Sequence, residues 1–297
     1  VENEKKELLS ITQTVNEISP YYVGIRTFQS YHTNCSRDPE DVLFESSVAI
    51  VVQGPIVQRD NFTLDSVKLY RDNFPDATII VSVWEREVFS EEWQCFRGDR
   101  KIYYVFSQRP EHRGYQNVNL QLMTSYNGLK KAQEVGCRYA FKIRSDMRYY
   151  SPDMVLFMQH YMKSFPMAKN KIQKERLVIF PPRMDYFYFI SDFFMFGNVD
   201  DMLNYWDIDR AFGDDYIGES AETMLGIRYA EFIGERYANK LENLQEYDRV
   251  MKQYFAIVED KLLDYIWFKY FYNKQWYAEY HYNVMNYVDW LEGQEIV

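Results

Sequence analysis

The sequence predicts an α/β protein built on a mostly parallel sheet flanked by helices, and three observations carry that expectation. Residues 47–52 form a continuous apolar run, Val-Ala-Ile-Val-Val after Ser47, as expected of a strand buried on both faces. Residues 63–74 carry Val67, Leu69, Tyr70 and Phe74 behind a capping Thr or Asp, and 77–83 form a second apolar run ending in Trp84 and Glu85. Strand, helix and strand in close succession make a βαβ unit, whose strands are parallel. Finally, the runs end in polar or charged turns, and open α/β sheets collect their ligands beyond the carboxyl ends of their strands.

A chain of 297 residues suits one large domain with an appendage better than two enzymes. The expected division is 1–45, an N-terminal helix and loops packed on the domain; 46–240, the sheet domain; and 241–297, a mainly helical C-terminal extension. The helix falls over 4–18 and ends at Pro20, while 21–43 lacks a clear period and reads as mixed loops and short strands. After the βαβ unit come a strand over 101–106 and a helix from Asn117 to Gln133, closed by Gly136. A strand over 140–143 then runs into the turn Arg144-Ser145-Asp146-Met147-Arg148. Downstream, helices are expected over 153–165, 199–206 and 221–238, with a short strand over 177–181 and an acidic loop over 207–219. The stretch 241–271 reads as mostly helical, and 276–282 as a last strand containing His281.

Composition excludes several classes. The 44 acidic and 34 basic residues give a net charge of -10, which argues against a nucleic-acid partner because phosphate backbones select basic surfaces. Cys35, Cys95 and Cys137 are odd in number and widely spaced, so neither a disulfide framework nor a zinc site is signalled and a reducing, cytoplasmic setting is expected. No apolar run is long enough to span a bilayer, and the first residues, Val-Glu-Asn-Glu-Lys-Lys, do not form a signal peptide. Residue 1 is not Met, so the chain reads as trimmed at its start, with an anchor ahead of it left open. Aromatic residues make up 18% of the chain, with 27 Tyr, and Tyr offers the flat face and hydroxyl that sugar and nucleotide sites use, besides filling cores.

The candidate site residues lie at the strand ends. Gln53 and Gly54 follow the first strand, where Gly permits close approach of a ligand. Glu85, just past the second, stands where such sheets bind a ribose hydroxyl. Asn117, Asn119 and Gln121 crowd a helix start, where the dipole favours a phosphate and capping explains only one amide. Arg144, Asp146 and Arg148 form a charged turn suited to an anionic ligand, with or without a metal. Asp192, inside the aromatic run 186–197, is either an ion-paired structural carboxylate or a working one, since an unpaired buried charge is costly.

Taken in order, Val51-Val52-Gln53-Gly54-Pro55-Ile56, Trp84-Glu85, Asn117-x-Asn119-x-Gln121, Lys142-Ile143-Arg144-Ser145-Asp146-Met147 and Ile190-Ser191-Asp192-Phe193-Phe194-Met195-Phe196-Gly197 resemble the WavE-type lipopolysaccharide-synthesis family, from about Ser47 to Glu222. The resemblance implies a GT-A-like, Rossmann-like glycosyltransferase moving a sugar from a nucleotide-sugar donor to an oligosaccharide or lipid-linked glycan acceptor in bacterial lipopolysaccharide or capsule synthesis. It also implies a cytoplasmic enzyme, with peripheral association at the inner face of the membrane left open. Gln53, Gly54, Glu85, Asn117, Asn119, Gln121, Arg144, Ser145 and Arg148 would hold the donor.

GT-A enzymes usually carry Asp-x-Asp at the fourth strand end, and here one Asp is missing. Asp146, with His281 as a late second ligand, would hold Mn2+ or Mg2+, or else Arg144 and Arg148 would carry the charge. For an inverting reaction the base is expected among Asp192, Asp214, Asp215, Glu219 and Glu222. Glu222 is preferred for its place at a helix start and Asp192 is the runner-up. Another nucleotide-dependent transferase, moving a nucleotidyl or phosphosugar group, and a non-catalytic carbohydrate-binding protein are the alternative classes.

Overall fold

The structure, a computed structural model, describes residues 38–168, 172–184, 186–210, 212–213, 220–234, 244–271 and 290. The expected helix over 4–18, the last strand, Cys35, His281, Asp214, Asp215 and Glu219 lie outside these residues.

Helix α1 (Pro39–Ser46) opens on Asp38, whose side chain accepts from Glu40 N at 2.8 Å. It stands where only loops and short strands are expected up to residue 43, because a cap and Pro at the first helical position start a helix too short to show a period. It leads into β1 (Val48–Gln53), all six residues buried. Helix α2 (Phe62–Asn73) crosses to β2 (Thr78–Trp84), which pairs in parallel with β1 and with β3 (Ile102–Ser107). Helix α3 (Val118–Glu134) then returns the chain to β4 (Tyr139–Arg144), parallel to β1 on its other side. This β-α-β-β-α-β succession is the parallel half that the sequence predicts.

The second half keeps the expected helices and the strand over 177–181 but differs from expectation in two places. The aromatic run contains β7 (Phe194–Asn198), which pairs antiparallel with β4 and joins it to β6 (Leu177–Ile179). The segment expected to be mostly helical is so only in α7 (Leu244–Tyr254). It then gives β8 (Phe255–Ile257), which adds to β6, and β9 (Tyr265–Trp267), which pairs with β5 (Met147–Tyr149). The distal segment is therefore part of the main sheet, whose order is β3-β2-β1-β4-β7-β6-β8. A seven-stranded, mostly parallel sheet flanked by helices makes the fold α/β, as a GT-A-like Rossmann-type protein requires. Helices α4 (Met154–Ser164), α5 (Val199–Tyr205) and α6 (Ala221–Phe232) complete the layers. Among the described residues no helix is long and apolar enough to cross a membrane.

Register fixes which side chains share a face. Val51 pairs with Lys142 and Gln53 with Arg144, so these four point to one side of the sheet. Helix α3 lies on that side, since Thr124 Oγ1 donates to Gln53 Oε1 at 2.7 Å and Ser82 Oγ donates to the Thr124 carbonyl at 2.7 Å.

Candidate active site

The site is built around Lys142 and Arg144 at the end of β4. Strand alternation puts both on the α3 face, where Lys142 is wholly buried. A buried ammonium needs partners. Lys142 donates to the Asp192 carbonyl and lies 4.3 Å from the centroid of the Trp206 ring. Burial depresses its pKa to about 8, against the opposing pull of Asp192.

Arg144 gathers two carboxylates. Its Nε and Nη2 donate to the two oxygens of Asp146 at 2.8 and 2.9 Å, and Nη1 donates to Asp192 Oδ2 at 2.7 Å. Burial opposes its charge, but Asp192 and Asp146 outweigh that cost and raise its pKa. For Asp146 the same balance holds in mirror image: burial raises its pKa, Arg144 lowers it, and the net result lies below the usual carboxylate range. Asp192 is buried and also accepts from Gln121 Nε2, while the Oε1 of that amide is buried and has no partner among the described residues.

Glu222 completes the group from the first turn of α6. Ser220 caps that helix, accepting from Thr223 N at 3.0 Å. Helix α6 can approach the 186–193 loop because residue 226 is Gly: a Cβ there would meet the Tyr188 carbonyl oxygen at 2.0 Å. Burial, and then the charge of Asp192, push the Glu222 carboxyl up to about 7. One carboxylate, Asp192, bound to a guanidinium beside another, Glu222, poised near neutrality separates an anchoring role from a proton-accepting one.

The distal segment closes the site in a way the sequence gives no local sign of. Trp267 Nε1 donates to Asp146 Oδ2 at 3.1 Å, Phe268 N donates to the Asp146 carbonyl at 2.8 Å, and Lys269 Nζ stands 3.9 Å from Asp146 Oδ2. Lys142 was foreseeable, since a Lys inside the apolar run 140–143 must be buried or break the strand.

The expected site residues divide into four groups. Gln121, Arg144, Asp146, Asp192 and Glu222 come together. Gln53, Ser145 and Asn119 are buried and work as architecture. Gln53 receives Thr124; Ser145 donates Oγ to the Pro55 carbonyl at 2.7 Å; Asn119 bonds the His112 carbonyl and both backbone groups of Phe212. Gly54 has φ +111° and faces Ser145 Oγ, so its freedom serves this turn. Glu85 and Asn117 are exposed beside the carboxyl edge and outside the cluster.

Arg148 is turned toward α2. It donates to Ser66 Oγ at 3.0 Å and the Phe62 carbonyl at 2.8 Å, and lies 4.5 Å from the centroid of the Phe62 ring. The expectation that it neutralises a ligand beside Arg144 is corrected accordingly.

A divalent cation at Asp146 does not fit these residues. Hard cations require several oxygen ligands, whereas both Asp146 oxygens already receive N–H donors and a second cation, Lys269, stands beside them. Among the described residues there is no group of three His, Cys, Asp or Glu that could hold a metal. The arrangement can instead receive a proton at Glu222 and present positive charge at a strand end. Compared with known families, residues 48–231 match the model described as WavE lipopolysaccharide synthesis. No curated protein matches the chain.

Proposed function

Because the chain belongs to the WavE lipopolysaccharide synthesis family, we propose that it is a glycosyltransferase, moving a sugar from a nucleoside-diphosphate donor to a hydroxyl of a glycan acceptor. The observation that supports this most is the cluster of Arg144, Asp192 and Glu222 at the carboxyl edge of the sheet, with Glu222 raised to about 7. A base whose pKa lies near the working pH takes a proton most effectively.

In this mechanism the acceptor oxygen attacks the anomeric carbon as its proton passes to Glu222. The bond from that carbon to the donor's diphosphate breaks, and the electron pair leaves on the diphosphate oxygen. Positive charge at the mouth of the site meets the charge that develops there. Asp192, fixed by Arg144 and Gln121, holds the sugar's hydroxyls in register, and the buried Oε1 of Gln121 offers an acceptor beside it. No step needs a metal.

The test is incubation with sugar nucleotides of several bases in the presence of EDTA, following slow hydrolysis. Release of a nucleoside diphosphate from at least one donor is expected, and Glu222→Gln should slow it at least about a hundredfold. Release of pyrophosphate or a nucleoside monophosphate would favour nucleotidyl or phosphosugar transfer. Absence of any release would leave a carbohydrate-binding protein.

A further inference from the structure

Arg144, Lys142 and Arg148, the three cations of β4 and its turn, all have their charged heads engaged inside the protein. Arg144 bridges Asp146 and Asp192, Lys142 is enclosed against Trp206, and Arg148 is turned into α2. A donor diphosphate arriving at the strand end would therefore meet none of them as a free ammonium or guanidinium.

Lys269 is different. Its side chain is 53% exposed, its Nζ is 3.9 Å from Asp146 Oδ2, and it lies 5.2 Å from the centroid of the Trp267 ring. Among the described residues its ammonium donates no hydrogen bond, so all three N–H groups remain for a ligand. Burial and the nearby Arg144 disfavour its charge, and an arriving anion would relieve that strain.

We propose that Lys269, carried to the site by the β9 segment, is the residue that binds the diphosphate of the donor and neutralises it as it leaves. This rests on the glycosyltransferase reading above. Trp267 is then a positioning residue, since its indole ties the segment to Asp146 and its ring underlies the ammonium.

The experiment is a binding titration of UDP, GDP, CDP, dTDP and inorganic pyrophosphate, with the matching monophosphates as controls. It compares the unaltered chain with Lys269→Ala, Lys269→Gln and Lys269→Arg, by calorimetry and by quenching of tryptophan fluorescence. Loss of a charge-assisted hydrogen bond should weaken diphosphate binding roughly tenfold to a hundredfold in the Ala and Gln variants, with a smaller loss for monophosphates and recovery in Arg. The Gln variant keeps a polar side chain without the charge, and an unchanged unfolding midpoint shows that it folds. Diphosphate affinity unchanged in either variant, or equal losses for mono- and diphosphates, would overturn the assignment of Lys269 alone. Failure of the unaltered chain to bind any of the diphosphates would overturn the glycosyltransferase reading with it.

Discussion

Replacing Glu222 by Gln isolates the electrostatics of the site from its chemistry. In the fold the Glu222 carboxyl rises from 4.5 to about 7, through burial first and the neighbouring Asp192 second. At about 1.4 kcal/mol per pH unit, the ionised form is disfavoured by about 3 kcal/mol, and by about 1 where solvent reaches its partly buried edge. The sign follows from the raised value: the folded chain holds this proton more tightly than the unfolded chain. The associated stabilisation is complete below the unfolded value of 4.5 and is lost as pH rises through about 7.

Gln has the same shape and no charge to disfavour. Glu222→Gln should therefore be more stable than the unaltered chain by about 1 to 3 kcal/mol near pH 8.5, and indistinguishable from it near pH 4. Urea unfolding at the two pH values, followed by tryptophan fluorescence, measures the difference directly. Turnover should show the complement, rising with pH to a plateau above about 7 in the unaltered chain and lying flat and low in the variant. A stability difference that does not change with pH, or a variant less stable at the alkaline end, would refute the argument.

Three further outcomes are expected. Arg144→Met leaves Asp146 and Asp192 without their shared guanidinium and should cost about 3 to 5 kcal/mol; combined with Asp192→Asn, thermal unfolding should show a loss well below the sum of the two, and strict additivity would deny the pairing. Arg148→Gln should lower stability by about 1 to 2 kcal/mol through its lost bonds to α2 while leaving nucleoside-diphosphate affinity unchanged; a drop in affinity would return Arg148 to the site. Gly226→Ala forces a methyl against the Tyr188 carbonyl and should destabilise the protein by more than about 2 kcal/mol, with loss of activity as α6 withdraws Glu222; a stable, active variant would show that α6 docks differently.

The parallel half of the sheet is legible in the sequence because β1, β2 and β4 are buried on both faces and so read as largely apolar runs, broken only by Ser82 and Lys142. The second half is only partly so. Strand β6 falls inside the strand expected over 177–181, whereas β7 is buried on both faces within a longer aromatic run, so no alternation marks it, and β8 and β9 are three residues each, too short for any period. At the site, Arg144, Asp192, Gln121 and Glu222 stand out locally as charged or amide groups in apolar or helix-start settings.

What such groups face is a tertiary fact. Asn119, Ser145 and Gln53 look like ligand contacts from their positions, yet their partners are the Phe212 backbone, the Pro55 carbonyl and Thr124. Asp146 is likewise more than a turn residue: its bonds to Arg144 and Trp267 mean that its replacement by Ala would weaken the fold as well as the chemistry.

The bond from Trp267 to Asp146 joins positions 121 residues apart, and β8 completes the sheet from the same late segment. Pairings of such span close slowly, and a chain leaving the ribosome folds its earlier elements first. The parallel strands and Arg144 can thus be in place before Trp267 and Lys269 exist to meet them. Assembly is ordered in time, and the anion-facing side of the site is the last part to form. A lesion in this distal segment would register first as a lost site, in a protein whose earlier half still folds.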